Sequence, residues 1–223
     1  MCIRDSRMVG DGTHTVVDNC DLYLERPDDM EKADAYKGAN PLLAQGNDRT
    51  DGSTAIQNCR IRLKGDGGRR ICYQMGALRN NYFDVECGYG PSSTKEVVGN
   101  IFHGSLYGLF WDCDIVRDNV VELTNSGAGW MSGAGEVVGN QIKMEITADA
   151  QGGAIFHNNW GKGTIRDNKF DLTFTQECDV RQYDMRGGPQ YVQNNIINVK
   201  GARYNYLQSA ISGLIYRLSL IHI

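Results

Sequence analysis

One short phrase recurs along this chain and constrains its fold more than any other feature. It is an apolar residue, two mostly polar or glycine positions, an Asn, any residue, then apolar, any, apolar. It reads Leu78-Arg79-Asn80-Asn81-Tyr82-Phe83-Asp84-Val85 and Val137-Val138-Gly139-Asn140-Gln141-Ile142-Lys143-Met144. It returns as Ile165-Arg166-Asp167-Asn168-Lys169-Phe170-Asp171-Leu172 and Val192-Gln193-Asn194-Asn195-Ile196-Ile197-Asn198-Val199. Val116 to Leu123 fits around Asn119, and Val97 to Phe102 fits in part around Asn100. Two earlier copies carry Cys20 and Cys59 at the key position. The eight key positions are spaced by 39, 22, 19, 19, 21, 28 and 27 residues. A repeat of this length signals a stacked architecture.

The two ends are set apart from that pattern. Met1 to Ser6 is a translation of ATGTGTATAAGAGACAG, a transposon end used in DNA library preparation, and Leu218 to Ile223 translates its reverse complement. Residues 1–6 and 218–223 are therefore expected to be adapter-derived, leaving residues 7–217 as a fragment of one natural domain. That length suits a single β-rich domain. The net charge of −4 argues against a nucleic-acid partner. No apolar run is long enough for a helical membrane span. Cys20, Cys59, Cys72, Cys87, Cys113 and Cys178 form no C-x-x-C pair, and no His lies at zinc spacing. They read as buried thiols, with some disulfide as the alternative.

After each key residue, apolar and polar positions alternate, as in a half-buried strand. Gly is abundant at 27, Pro is scarce at 4, and no Pro falls inside a phrase. That composition favours strands joined by tight turns. Leucine-rich repeats also carry a periodic Asn, but their apolar positions precede it. Here the strand follows the Asn, and helical periodicity is absent. The expectation is an all-β parallel β-helix of about eight coils, a solenoid with one x-h-x-h strand after each key residue. Asn suits a sharp bend because it tolerates left-handed geometry. Coils stacked about 4.8 Å apart would bring one Asn amide above the next, giving an internal Asn ladder. Those Asn are expected to be scaffold. Residues 26–52 read as a projecting loop, with a short helix from Asp28 to Lys37 opened by a capping box and stopped at Gly38.

The phrase resembles the Asn-bearing turn of right-handed parallel β-helix proteins of the pectate-lyase-like superfamily, which includes polysaccharide lyases, glycoside hydrolases and phage tailspikes. The resemblance spans nearly all of residues 13–215. It implies a shallow substrate trough along one stacked sheet. A fold shared so widely leaves activity open.

Each x-h-x-h strand is followed by a variable loop and a second short strand, and all three Trp fall in those second segments. Trp111, Trp130, Trp160 and Tyr183, with Asn158 and Arg186, are the expected polysaccharide-binding residues. Aromatic faces cover sugar rings and planar polar groups bond their hydroxyls. A glycosidase needs two carboxyl groups, for which Asp112, Asp114 and Asp184 are candidates. Asp112 and Asp114, two apart on a strand, would share a face. A lyase needs a base and a cation, which His157 and Arg181 could supply, with Lys162 and Arg186 as further cations. The N-T-D, D-D, G-H-G and R-I-K blocks of polygalacturonases are lacking, and Phe102-His103-Gly104-Ser105 only faintly resembles the third. No cofactor is implied, and no acidic cluster supports Ca²⁺.

Three readings follow: a lyase or hydrolase acting on a surface or cell-wall glycan, a tailspike segment gripping a host glycan as a homotrimer, or a non-catalytic β-helix of a cell-surface protein. All three imply an extracellular or virion-surface location, with polysaccharide as partner in the first two.

Overall fold

A computed structural model describes residues 8–9, 15–25, 41–45, 54–65, 70–132, 135–146, 154–157, 163–175, 179–184, 190–201, 204–206 and 215–217. Every described element is a β-strand and every named pairing is parallel. The proposed helix from Asp28 to Lys37 lies outside the described residues.

The strands fall into three ribbons. The first precedes the key residues and adds one strand beyond the last of them: β2 (Val16–Asp18), β5 (Ala55–Gln57), β8 (Ala77–Arg79), β10 (Glu96–Val98), β12 (Ile115–Arg117), β14 (Glu136–Val138), β17 (Gly163–Arg166), β20 (Gln190–Gln193) and, as that added strand, β23 (Ile215–Arg217). These pair in that order as a nine-stranded sheet. The second follows the key residues: β3 (Asp21–Glu25), β6 (Arg60–Lys64), β9 (Tyr82–Tyr89), β11 (Ile101–Trp111), β13 (Val120–Ser132), β15 (Gln141–Ile146), β18 (Lys169–Phe174) and β21 (Ile196–Lys200). The third comprises β1 (Met8–Val9), β4 (Pro41–Gln45), β7 (Arg70–Tyr73), β16 (Ala154–His157), β19 (Asp179–Asp184) and β22 (Tyr204–Tyr206). The second and third ribbons join in one 14-stranded sheet, because β9, β11 and β13 run through both. The expected loop between the two strands is absent there, and β11 instead carries a register shift between Leu106 and Gly108 against β13. Parallel strands stacked in two sheets are the arrangement a parallel β-helix requires.

Register explains the core. Ile61, Phe83, Phe102, Val121, Ile142 and Phe170 occupy one continuous column of partners. All are buried, and Phe83 stacks on Phe102 at 4.8 Å between centroids. The preceding ribbon contributes its own buried column, including Ile56, Leu78, Val97, Val116 and Val137. Each such side chain contributes roughly 1.5–3 kcal/mol through burial. Because a strand's side chains alternate at a period of two, the residues between them point outward. Gly104 is the exception within the inner columns. Its φ is +116°, and a Cβ there would lie 2.0 Å from the Val85 carbonyl oxygen.

The key Asn residues are bonded as a chain of amides. Asn81, Asn100, Asn119, Asn140 and Asn168 each direct their backbone N–H and side-chain Nδ2 to the Oδ1 of the next Asn, at 2.9–3.1 Å. A further Nδ2 bond reaches a carbonyl of the coil before, such as Asn119 to Val97 at 2.8 Å. All six from Asn81 to Asn195 are buried, so an unpaired amide would be costly. The left-handed backbone, however, belongs to the residue before each key position. Asn19, Asn58, Asn80, Asp118, Asp167 and Asn194 have φ of 51–59°, and Gly99 and Gly139 have φ of 66° and 68°. The key Asn is thus selected for its hydrogen bonds, and its neighbour for the bend.

Cys20 and Cys59 imitate part of this chemistry. Their Sγ atoms contact the carbonyls two residues back, Asp18 at 3.2 Å and Gln57 at 3.0 Å. Asn100, Asn140 and Asn168 make the same contact through Nδ2. Cys59 also accepts from the backbone N–H of Cys20 at 3.4 Å. Cys20, Cys59, Cys72, Cys87 and Cys113 are all free thiols. Cys178 lies outside the described residues.

Candidate functional site

The third ribbon brings some of the sequence-derived candidates together. Trp111, at the end of β11, pairs with Ser132, which pairs with His157, which pairs with Asp184. Four consecutive strands therefore place these residues in one line at a rise of about 4.8 Å per step. Trp111 is 47% exposed. Ser132, and not the candidate Trp130, stands between Trp111 and His157. Trp130 falls between the Gly108–Gly129 and Phe110–Met131 pairs. Tyr183 pairs with Phe156, and Arg181 pairs with Ala154, three residues away from the His157–Asp184 pair. Asn158, Trp160 and Arg186 lie outside the described residues, as does Lys162.

Asp112 departs from its expected place on a strand. β11 ends at Trp111, and Asp112 follows in a turn with φ of 53°. Gln74 and Ser93 hold the corresponding bends in the two preceding coils, with φ of 54° and 47°. Its carboxylate accepts a hydrogen bond from Ser93 Oγ at 3.1 Å. Asp114 lies in the same turn, before β12, so the two carboxylates do not share a strand face. A short polar side chain suits this left-handed bend for local reasons.

Beside that line the third ribbon carries exposed aromatic surface. Tyr107 is 42% exposed and meets the Tyr89 ring edge-on at 5.2 Å. Burial is the main cause that pushes the Tyr89 hydroxyl above its ordinary pKa, with the neighbouring Tyr107 adding to it. The Arg70 guanidinium lies over the Tyr73 ring, 5.4 Å from its centroid.

The second ribbon carries a second concavity that the sequence reading did not single out. A trough of about 610 Å³ runs across β9, β11, β13, β15 and β18. Its two walls are outward side-chain columns, and its floor is the sheet backbone between them. One wall is the register column Asp84, His103, Glu122 and Lys143. The other runs through Glu86, Ser105, Thr124, Glu145 and Thr173. Arg62 continues the first wall at one end and bonds Asp84 at 3.1 Å. His103 Nδ1 lies 3.8 Å from Asp84 Oδ1, and Lys143 bonds Glu122 at 2.6 Å. The hydrogen bond from Lys143 holds the Glu122 carboxyl below the usual carboxylate range, and Glu122 raises Lys143 in turn. A signal for this wall was available. Each member stands three residues after a key position, so aligning the phrases on Asn81, Asn100, Asn119 and Asn140 puts Asp84, His103, Glu122 and Lys143 in one column.

The chain matches no known protein family, no curated protein and no solved structure. The functional reading therefore stands on residue chemistry and geometry.

Proposed function

We propose that this chain is a right-handed parallel β-helix of the pectate-lyase-like type, about eight coils tall with an internal Asn ladder, and that it binds polysaccharide along its third ribbon. One observation carries the reading: exposed Trp111 heads the line Trp111–Ser132–His157–Asp184, one residue per strand. An indole face covers the apolar face of a sugar ring. The residues in register with it, Ser132, His157 and Asp184, are of types that hydrogen-bond sugar hydroxyls. His157 and Asp184, opposite each other, are the residue types for acid–base cleavage. The chain is an extracellular or virion-surface protein under this reading.

The test is incubation of the chain with a panel of polysaccharides. Trp111→Ala should weaken binding about tenfold, the scale of one lost aromatic platform. Ultraviolet absorbance from an unsaturated product identifies a lyase, and reducing ends without it identify a hydrolase. A panel without any binding overturns the proposal.

An exposed apolar pair is the observation for a tailspike-like homotrimer as the second reading. Ile101 and Val120 are 44% and 42% exposed and pair with each other on the outer face of the second ribbon. Sedimentation of the chain as a trimer supports it, and a monomer removes it.

A further inference from the structure

We infer that the trough on the second ribbon is a separate binding site for a linear, positively charged glycan, an amino-sugar polymer. The inference does not rest on the third-ribbon proposal, because the two surfaces use different residues.

The shape comes from the regularity of the stack. Residues two apart on one strand lie about 6.7 Å apart, and five rungs span about 19 Å. The space between the two walls is therefore narrow and long, suited to one unbranched chain lying along the stack. At the centre the second wall is short, since Ser105 and Thr124 stand opposite His103 and Glu122. Hydroxyls stand there on one side and an imidazole and a carboxylate on the other.

The charge sets the ligand class. Asp84, Glu86, Glu122 and Glu145 supply four carboxylates to the lining; Arg62 pairs with Asp84 at one end and Lys143 with Glu122. Among the described residues Glu86 and Glu145 have no ion-pair partner. A polyuronate would meet the unpaired carboxylates of the second wall, whereas an ammonium on a sugar chain could approach them at charge-assisted hydrogen-bond distance. A peptide strand is disfavoured because the floor's amides and carbonyls already bond neighbouring strands, leaving no edge to extend.

Calorimetric titration of the full chain with glucosamine oligomers tests the site, with N-acetylglucosamine oligomers, oligogalacturonate and oligolysine as comparators. Glucosamine oligomers should bind at least about tenfold more tightly than the acetylated series, and binding should weaken as salt rises. The Glu122→Gln, Glu145→Gln double variant should lose about tenfold or more of that affinity. Glu25→Gln makes the same kind of charge change outside the trough and should leave binding unchanged. Circular dichroism of each variant reports that the fold is retained. Absence of glucosamine binding, equal binding of oligogalacturonate or oligolysine, or an unaffected double variant each overturns the assignment.

Discussion

The side-chain oxygen of Asn140 accepts two hydrogen bonds from Asn119, one from its backbone N–H at 3.0 Å and one from its Nδ2 at 2.9 Å. One oxygen thus fixes both the backbone and the side chain of the rung before it. Asn119→Leu removes the oxygen that accepts from the Asn100 N–H and Nδ2, and it leaves the Asn140 oxygen without the Nδ2 donor and the Val97 carbonyl without its side-chain partner. We expect a loss of about 2–4 kcal/mol in denaturant unfolding, since each buried group left unpaired costs about 1–3 kcal/mol. Asn119→Cys should cost less than Asn119→Leu, because Cys59 already occupies this slot with its Sγ against the Gln57 carbonyl. A Cys variant as unstable as the Leu variant contradicts that account.

The bend one residue earlier makes a different demand. Asp118 has φ of 54° and is followed by buried Asn119. Asp118→Val places a β-branched residue in left-handed geometry and should cost about 1–2 kcal/mol. Asp118→Gly should be close to neutral at the backbone. Thermal melts of the two variants must separate clearly for this position to be the hinge.

Stacked phenylalanines fill the middle of the core. Phe102 is fully buried, stacks on Phe83 and meets Phe110 edge-on at 5.5 Å. Phe102→Ala should destabilise by about 3–5 kcal/mol through lost burial and the cavity left behind. Val16→Ala, at a position 56% exposed, should change stability little. Equal effects in the two variants would falsify the core assignment.

The buried thiols give a pH dependence with a defined sign. Burial pushes Cys72, Cys87 and Cys113 from 9.0 up to about 12. The folded chain keeps these protons while the unfolded chain releases them near 9, so unfolding is favoured as pH rises between those values. Stability should be flat in this respect below pH 9 and fall steadily above it. A thiol reagent at neutral pH should leave these three unmodified in the native protein and label them in denaturant. Rapid native labelling of all three would contradict their burial.

Sequence alone exposed the parts of the fold that repeat at fixed offsets. The alternation after Asn81 or Asn140 was visible because five residues suffice to show a period of two. The strand before the key residue was harder to read, since three residues such as Glu136–Val138 are too few to display a period. Its existence depends on stacking with β12 and β17, which is nonlocal. From sequence the bend falls as readily on Asn81 as on Asn80, since both tolerate it, and only the hydrogen bonds separate their roles. Asp112 looked like a strand carboxylate because nothing local distinguishes the last residue of β11 from the first of the turn. On the third ribbon, Trp111 and His157 were legible as chemistry. Their shared line required the register, which brings Ser132 rather than Trp130 between them.

The step from Asn81 to Asn100 and the step from Asn100 to Asn119 are both 19 residues long and meet their neighbours in the same way. Such coils are interchangeable units. A gene could lose or duplicate one of them, and the cut ends would rejoin with every column intact. The height of this molecule is therefore free to drift over generations, while its cross-section is not.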